Sequence, residues 1–147
     1  RGDIVVYAHR FFKEVYPPKD YKDDVERLHK ITHEAKAQLL LVGEAALLPS
    51  FPEICMSGFG KAKMCSVSQR SQAEFNRQYT SVLEDLMSGY DDIHFFDPLP
   101  FMCRDGVCDH LVPGTATPAY IDQHHVSVEA SLYLSPFLCS FISKQVL

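Results

Sequence analysis

At residues 38–43 the chain reads Gln38-Leu39-Leu40-Leu41-Val42-Gly43, an apolar run without alternating polar positions. Such a run is typical of a strand covered on both faces, as in a parallel sheet. Residues 3–8 are dominated by a second apolar run of this kind, with β-branched side chains. Between the two runs, Asp20 is a candidate cap for a helix that reaches about Ala37. Strand, helix and strand at this spacing predict a right-handed parallel unit.

Further along the chain the same alternation continues. Ser68 is a candidate cap for a helix to about Met87, and residues 91–97 predict a third strand. Ser127 is a candidate cap for a last helix to about Leu134, with a kink or restart at Pro136. The apolar stripes of the first two helices are predicted at Val25, Leu28, Ile31, Thr32 and Ala35, and at Ala73, Phe75, Tyr79, Val82, Leu83 and Leu86. The order β-α-β-α-β-α predicts a layered α/β fold on a parallel sheet.

Composition narrows the class of protein. The chain has 147 residues, of which 46% are hydrophobic and 22% charged, with a net charge of -5. These values indicate a globular domain, and the acidic balance without a dense Lys/Arg cluster argues against nucleic acid as a partner. No apolar run approaches the roughly 20 residues that a membrane-spanning helix needs.

The five cysteines fall into two close pairs and a single residue. Cys55 with Cys65 and Cys103 with Cys108 lie in loop-like sequence, and this spacing predicts two local disulfides and an oxidising compartment. Reduced thiols in a cytosolic protein are the alternative. Cys139 lies in an apolar segment and is expected to be a buried free thiol.

The candidate catalytic residues lie near the C-terminus, where Asp122 precedes His125 by three residues at the predicted start of a helix. A carboxylate in this position can fix the tautomer of the ring and leave its other nitrogen free to take a proton from a serine. Spacing alone allows His124 in the same role. An isolated Asp-x-x-His is more often a solvated loop-to-helix junction, so the pair needs further support.

That support comes from a family resemblance. Tyr120-x-Asp122-x-x-His125-Val126-Ser127 resembles the closing motif of SGNH hydrolases, in the version fused to membrane-bound acyltransferase-3 proteins. Residues 3–11 resemble a strand of that branch, which ends in an Ala-Arg-Trp type motif. The cysteine-bounded turn at 103–108 and the upstream pair at 55 and 65 also match in order. The Gly-Asp-Ser block of the family, which supplies the serine nucleophile, has no counterpart in the chain. Val126 stands where the branch has Leu, and Phe11 or Phe12 where it has Trp.

The resemblance implies a three-layer α/β/α, flavodoxin-like fold that lacks its N-terminal strands, with residues 1–147 forming the C-terminal portion of a single SGNH-like domain. Asp122 would orient His125, and His125 would activate a serine that lies upstream. Arg10 would support the oxyanion or bind an anionic group, unless it forms a structural ion pair. The family implies no cofactor and no metal.

The implied reaction is O-acyl transfer to a hydroxyl of a cell-surface glycan. The acyl donor would be delivered by a membrane acyltransferase domain, and the domain would lie outside the cytoplasm as part of a membrane protein. An SGNH esterase that uses water as acceptor is the first alternative. A zinc-binding or non-catalytic module is the second, with Cys103, Cys108, Asp109, His110, His124 and His125 as candidate ligands.

We predict that residues 1–147 alone have no esterase activity, because the resemblance places the nucleophile upstream of residue 1. Release of alcohol from a chromogenic acyl ester measures this. A rate above that of the heat-denatured chain would contradict the prediction and would mean that the nucleophile lies within these residues.

Overall fold

The computed structural model describes residues 2–8, 16–57 and 64–146. Its strands are β1 (Ile4–Ala8), β2 (Gln38–Val42), β3 (Ser66–Ser68), β4 (Ile93–Phe96), β5 (Cys103–Arg104) and β6 (Val107–Asp109). Its helices are α1 (Pro18–Glu34), α2 (Pro52–Met56), α3 (Gln69–Gly89), α4 (Leu99–Met102) and α5 (Val128–Phe141), and the last is followed by π-helical Ile142–Val146.

The backbone divides into two compact units. Unit 1 comprises residues 1–43, 75–96 and 140–147, and unit 2 comprises residues 44–74 and 97–139.

Unit 1 contains a parallel sheet of β1, β2 and β4, in that order. Leu40 of β2 pairs with Val6 on one side and with His94 on the other. Leu39, Leu40 and Leu41 have no exposed surface, as the apolar run predicted. The predicted parallel strand–helix–strand unit and the third parallel strand are therefore confirmed.

Strand β1 differs from its prediction in burial. Val5 is 40% exposed and Val6 is 55% exposed, although the apolar run predicted a strand covered on both faces. In the described part of the sheet β1 pairs with β2 alone, so it is an edge strand. Hydrophobicity reports what a strand can bury and does not reveal how many neighbours it has.

Helix α1 begins earlier and ends sooner than predicted. Pro17 is the N-cap and Pro18 the first helical residue, so Asp20 lies in the first turn and does not cap the helix. Proline at this position costs no hydrogen bond, because the first N–H groups of a helix have no partner within it. The helix ends at Glu34, shortly before Lys36 takes a positive φ of 56°.

The buried face of α1 consists of Tyr21, Val25, His29 and Thr32. The predicted stripe was right at Val25 and Thr32, but Ile31 is 60% exposed and Ala35 is also exposed. The core of unit 1 collects Tyr21, Val25, Leu39, Leu41, Tyr79, Leu83, Leu86 and Ile93.

Helix α3 begins as predicted, because Ser68 Oγ accepts a hydrogen bond from the N–H of Ser71 at 3.0 Å. Its buried positions are Gln72, Asn76, Tyr79, Leu83 and Leu86, at helical spacing. The predictions at Ala73 and Phe75 were wrong, since both are exposed. Polar Gln72 can be buried because its Oε1 accepts the N–H of Leu47 at 3.0 Å.

Unit 2 contains an antiparallel sheet, in the order β3-β6-β5, that the sequence did not predict. Strands β5 and β6 form a hairpin whose turn residues Asp105 and Gly106 both have positive φ, as the Asp-Gly pair favours. Both predicted disulfides are present, Cys55–Cys65 and Cys103–Cys108.

Helix α5 overturns two predictions. It continues through Pro136 to Phe141 without the predicted break near Leu134. Pro136 has no N–H to donate to the carbonyl of Leu132, and the hydroxyl of Ser135 donates to that carbonyl instead, at 3.1 Å. Cys139 is a free thiol, as predicted, but it is exposed and not buried. Among the described residues, no helix is both long enough and apolar enough to cross a membrane.

Substitutions at Val25 and Ile31 compare a buried with an exposed position on one helix. Val25→Ala should lower the free energy of unfolding by about 2 kcal/mol, because it removes two buried methyl groups and leaves a cavity. Ile31→Ala should change it by about 0.5 kcal/mol or less, because most of that side chain already faces solvent. Urea unfolding measures both, and equal losses would contradict the burial of this helix face.

Candidate active site

The candidate site is a short loop in unit 2 between Tyr120 and Val126, which pair as an isolated antiparallel bridge. The N–H of Ile121 donates to the carbonyl of His125 at 2.9 Å and closes the loop. Directly after it, Ser127 caps α5, because its Oγ accepts the N–H of Ala130 at 3.1 Å. The predicted cap at Ser127 is therefore confirmed, and the loop is held at both ends.

Asp122 is the centre of the loop, where its two carboxylate oxygens have separate partners. Oδ1 accepts the backbone N–H groups of His124 and His125, each at 2.8 Å. Oδ2 lies 2.6 Å from Nδ1 of His125. Burial acts to raise the pKa of Asp122, but the hydrogen bonds from the His125 ring and from the two backbone N–H groups outweigh it and hold the pKa well below its usual range.

The bond to Asp122 defines the tautomer of His125. An ionised carboxylate can only accept hydrogen bonds, so Nδ1 of His125 carries the proton. In the neutral ring Nε2 is then an acceptor, and it has no hydrogen-bond partner among residues 2–8, 16–57 and 64–146. The side chain is 63% exposed. Nε2 is thus open to a proton donor that approaches from outside the loop.

His124 lies beside this pair in a different setting. Its Nδ1 is 3.3 Å from Oδ1 of Asp122, and its side chain is 21% exposed. The rings of His124 and His125 are tilted against each other, with centroids 4.0 Å apart. Both histidines therefore contact one carboxylate, but His125 has the shorter contact and the more accessible ring.

The loop is fixed to a segment far upstream in the sequence of unit 2. Leu48 donates its N–H to the carbonyl of Gln123 at 2.8 Å, and Nε2 of Gln123 lies 3.3 Å and 3.2 Å from the carbonyls of Leu48 and Pro49. The hydroxyl of buried Tyr120 accepts the N–H of Ala46 at 3.2 Å. Burial raises the pKa of Tyr120 to about 12, so it remains a neutral phenol. No local pattern in the sequence indicates this role of Gln123.

The remaining predicted site residues are Arg10 and the candidate zinc ligands. Arg10 lies outside the described residues, and its role stays a prediction. The zinc site with Cys103 and Cys108 as ligands is wrong, because these two sulfurs are bonded to each other. Asp122, His124 and His125 do offer three ligand atoms within 4.8 Å of one another, and both oxygens of the carboxylate already accept N–H hydrogen bonds within the loop.

The parallel sheet with helical crossovers defines a protein of the α/β class. Residues 1–138 match the family described as "SGNH domain (fused to AT3 domains)", and the chain belongs to this family. Membership relates the chain to proteins in which such a domain is fused to an AT3 (acyltransferase 3) domain, and so to a function in acyl transfer. The resemblance drawn from the sequence is confirmed.

Among solved structures, the chain is similar to the periplasmic domain of the lipopolysaccharide acetyltransferase of Salmonella ser. Paratyphi A. The two share 11% sequence identity and a TM-score of 0.66, over 97% of this chain and 57% of that chain. The likeness confirms the predicted SGNH-type α/β fold, and the chain spans little more than half the length of that domain. No curated protein sequence matches the chain.

Replacing Asp122 should change stability in a pH-dependent way. The pKa of Asp122 is lowered in the folded chain from an ordinary value of 3.8, so its ionised form stabilises the fold above that pH and the contribution falls as the pH drops below it. Asp122→Asn should therefore cost about 1 kcal/mol at neutral pH, after solvent screening, and less toward pH ~3.

Urea unfolding of wild type and variant across this pH range measures the difference. The matched control is Asp105→Asn in the exposed hairpin turn, which should show no such trend. A loss of stability that is the same at every pH would mean that the charge of Asp122 is not what stabilises the loop.

Proposed function

We propose that the chain is the histidine–carboxylate part of an O-acyltransferase that esterifies hydroxyl groups of a cell-surface glycan with acetyl or another short acyl group. The observation that carries this proposal is the 2.6 Å contact from Asp122 to Nδ1 of His125, with Nε2 exposed. A base of this kind needs a nucleophile, and the proposed one is a serine in a segment outside residues 1–147.

In the proposed first half-reaction, Nε2 of His125 takes the proton of the serine hydroxyl while the serine oxygen attacks the acyl carbonyl of the donor. Asp122 stays ionised, keeps the ring in place and stabilises the imidazolium that forms. When the tetrahedral intermediate collapses, His125 returns the proton to the leaving group of the donor, and an acyl-serine ester remains.

In the second half-reaction, His125 takes the proton of an acceptor hydroxyl, whose oxygen attacks the acyl-serine. Collapse releases the acylated acceptor, and the proton returns to the serine. Arg10 remains a candidate for stabilising the oxyanion in both halves. The donor is proposed to reach the serine through the membrane-bound acyltransferase domain.

Three observations support this choice of substrates and location. The family consists of SGNH domains fused to AT3 domains, which supports a membrane-bound acyl donor partner. The solved domain of similar fold belongs to a lipopolysaccharide acetyltransferase and is periplasmic, which supports a glycan acceptor and an extracytoplasmic position. The two disulfides support an oxidising compartment.

Hydrolysis is the second candidate function. With 63% of the His125 side chain exposed, water can reach Nε2 as readily as a sugar hydroxyl. The same two half-reactions with water as acceptor describe an SGNH esterase.

Substitutions of the adjacent histidines test the assignment of the base. In a protein that carries this chain together with its nucleophile segment, His125→Ala should lower the rate of acyl transfer by about 10³-fold or more, because no group then takes the serine proton. His124→Ala is the matched control and should retain most of the rate. The rate of donor consumption measures both, and the reverse pattern would transfer the role to His124.

Omitting the glycan acceptor separates transfer from hydrolysis in the same assay. A transferase should release free acyl groups far more slowly without acceptor. Release at an unchanged rate would contradict the transferase and favour the esterase.

A further inference from the structure

A second histidine–carboxylate cluster lies in unit 1. His29 and His33 are four residues apart on α1, so their side chains share one face of the helix. Asp92, directly before β4, lies between the two rings. Its Oδ1 is 2.7 Å from Nε2 of His29, and its Oδ2 is 2.8 Å from Nδ1 of His33.

We propose that His29, His33 and Asp92 bind a divalent transition-metal ion, with Zn²⁺ as the best fit. Two imidazole nitrogens and a carboxylate oxygen are ligands that zinc prefers. The three ligand atoms lie within 4.8 Å of one another. Ligands at zinc bonds of about 2.0–2.1 Å in a tetrahedron are roughly 3.4 Å apart, so an ion can enter with small movements of the side chains.

The surroundings hold two of the ligands in place. His29 is 8% exposed and its ring packs on Tyr90, with centroids 4.2 Å apart. The backbone carbonyl of Asp92 accepts the N–H of Leu39 at 2.8 Å, which ties this residue to the central strand. Two of the three ligands are thus positioned before any ion arrives, which reduces the entropy lost on binding.

The third proposed ligand, His33, is accessible from solvent. His33 is 71% exposed and lines an open cleft of about 740 Å³. Its other titratable wall residues are Glu26, Lys30, Glu34, Tyr90 and Asp91. Three carboxylates against one ammonium group favour the entry of a cation, and the cleft has room for one with bound water.

The two ring nitrogens that face Asp92 are now hydrogen-bond donors, because an ionised carboxylate can only accept. For an ion to take their place, each neutral ring would move its proton to its other nitrogen, since a ligating nitrogen must be deprotonated. The simpler alternative is that the two ring N–H groups only donate to Asp92, with no affinity for an ion.

The position of the cluster indicates a structural role for the ion. Asp92 directly precedes β4 and His33 lies five residues before β2, so the cluster is at the amino ends of these parallel strands. Ligands that react bind at the opposite, carboxyl ends. An ion held by α1 and Asp92 would join the helix to the sheet within unit 1. This inference is independent of the acyltransferase proposal.

The test is a titration of the purified, tag-free, metal-stripped protein with Co²⁺, whose visible absorption reports coordination by protein ligands, and then with Zn²⁺. Wild type should bind Co²⁺ saturably at this cluster. His33→Ala should lose one equivalent, and it should still fold because this side chain is mostly exposed. His125→Ala controls for the separate group at Asp122 and should keep that equivalent.

Thermal unfolding gives a second readout. Excess Zn²⁺ should raise the Tm of wild type by about 5 °C and leave the Tm of His33→Ala unchanged from its value in EDTA. Lys30→Ala, which changes a neighbouring exposed residue of the same cleft, should respond as wild type does. Co²⁺ binding that is unchanged in His33→Ala, or lost only in His125→Ala, would overturn the inference.

Discussion

Burial of β2 is the constraint on which unit 1 depends. Three consecutive leucines are excluded from water on both faces, and the backbone of the strand is paired on both edges. In such a setting every peptide group must find its partner within the protein. Two further hydrogen bonds continue the pairing of β2 with β4. Leu39 donates to the carbonyl of Asp92, directly before β4, at 2.8 Å, and Gly43, directly after β2, donates to the carbonyl of Phe96 at 2.9 Å. The register of β4, and with it the position of Asp92, follows from β2.

Sequence patterns predicted this sheet well because its central residues are uniformly apolar. They failed where polar residues are buried or apolar ones are exposed. The period of α3 was correct at Tyr79 and Leu83, but the face continues through Gln72, whose burial depends on a partner at Leu47. Hydropathy cannot identify such a partner. Ile31 is a similar case. Its position in the apolar stripe predicts burial, but no other element in the described part of the chain covers it and the side chain is exposed.

The candidate site was partly predictable for a related reason. Asp122 and His125 are close in sequence, so their contact could be inferred from spacing, whereas the bonds from Gln123 to Leu48 and Pro49 span about 75 residues of sequence and carry no local signal. His29 and Asp92 are likewise 63 residues apart. Both clusters pair histidine rings with a carboxylate, but they differ in how accessible Nε2 is to solvent. Nε2 of His125 points away from its carboxylate, while Nε2 of His29 faces Asp92 within a partly buried contact.

The shortness of the loop at Asp122 has a consequence for folding and evolution. Its hydrogen bonds to His124 and His125 join residues only two and three positions apart, so little chain entropy is lost when they form. Contacts of such low contact order form fast and do not wait for distant parts of the chain. The orientation of His125 on Asp122 is thereby encoded in a handful of adjacent codons, within residues 122–125.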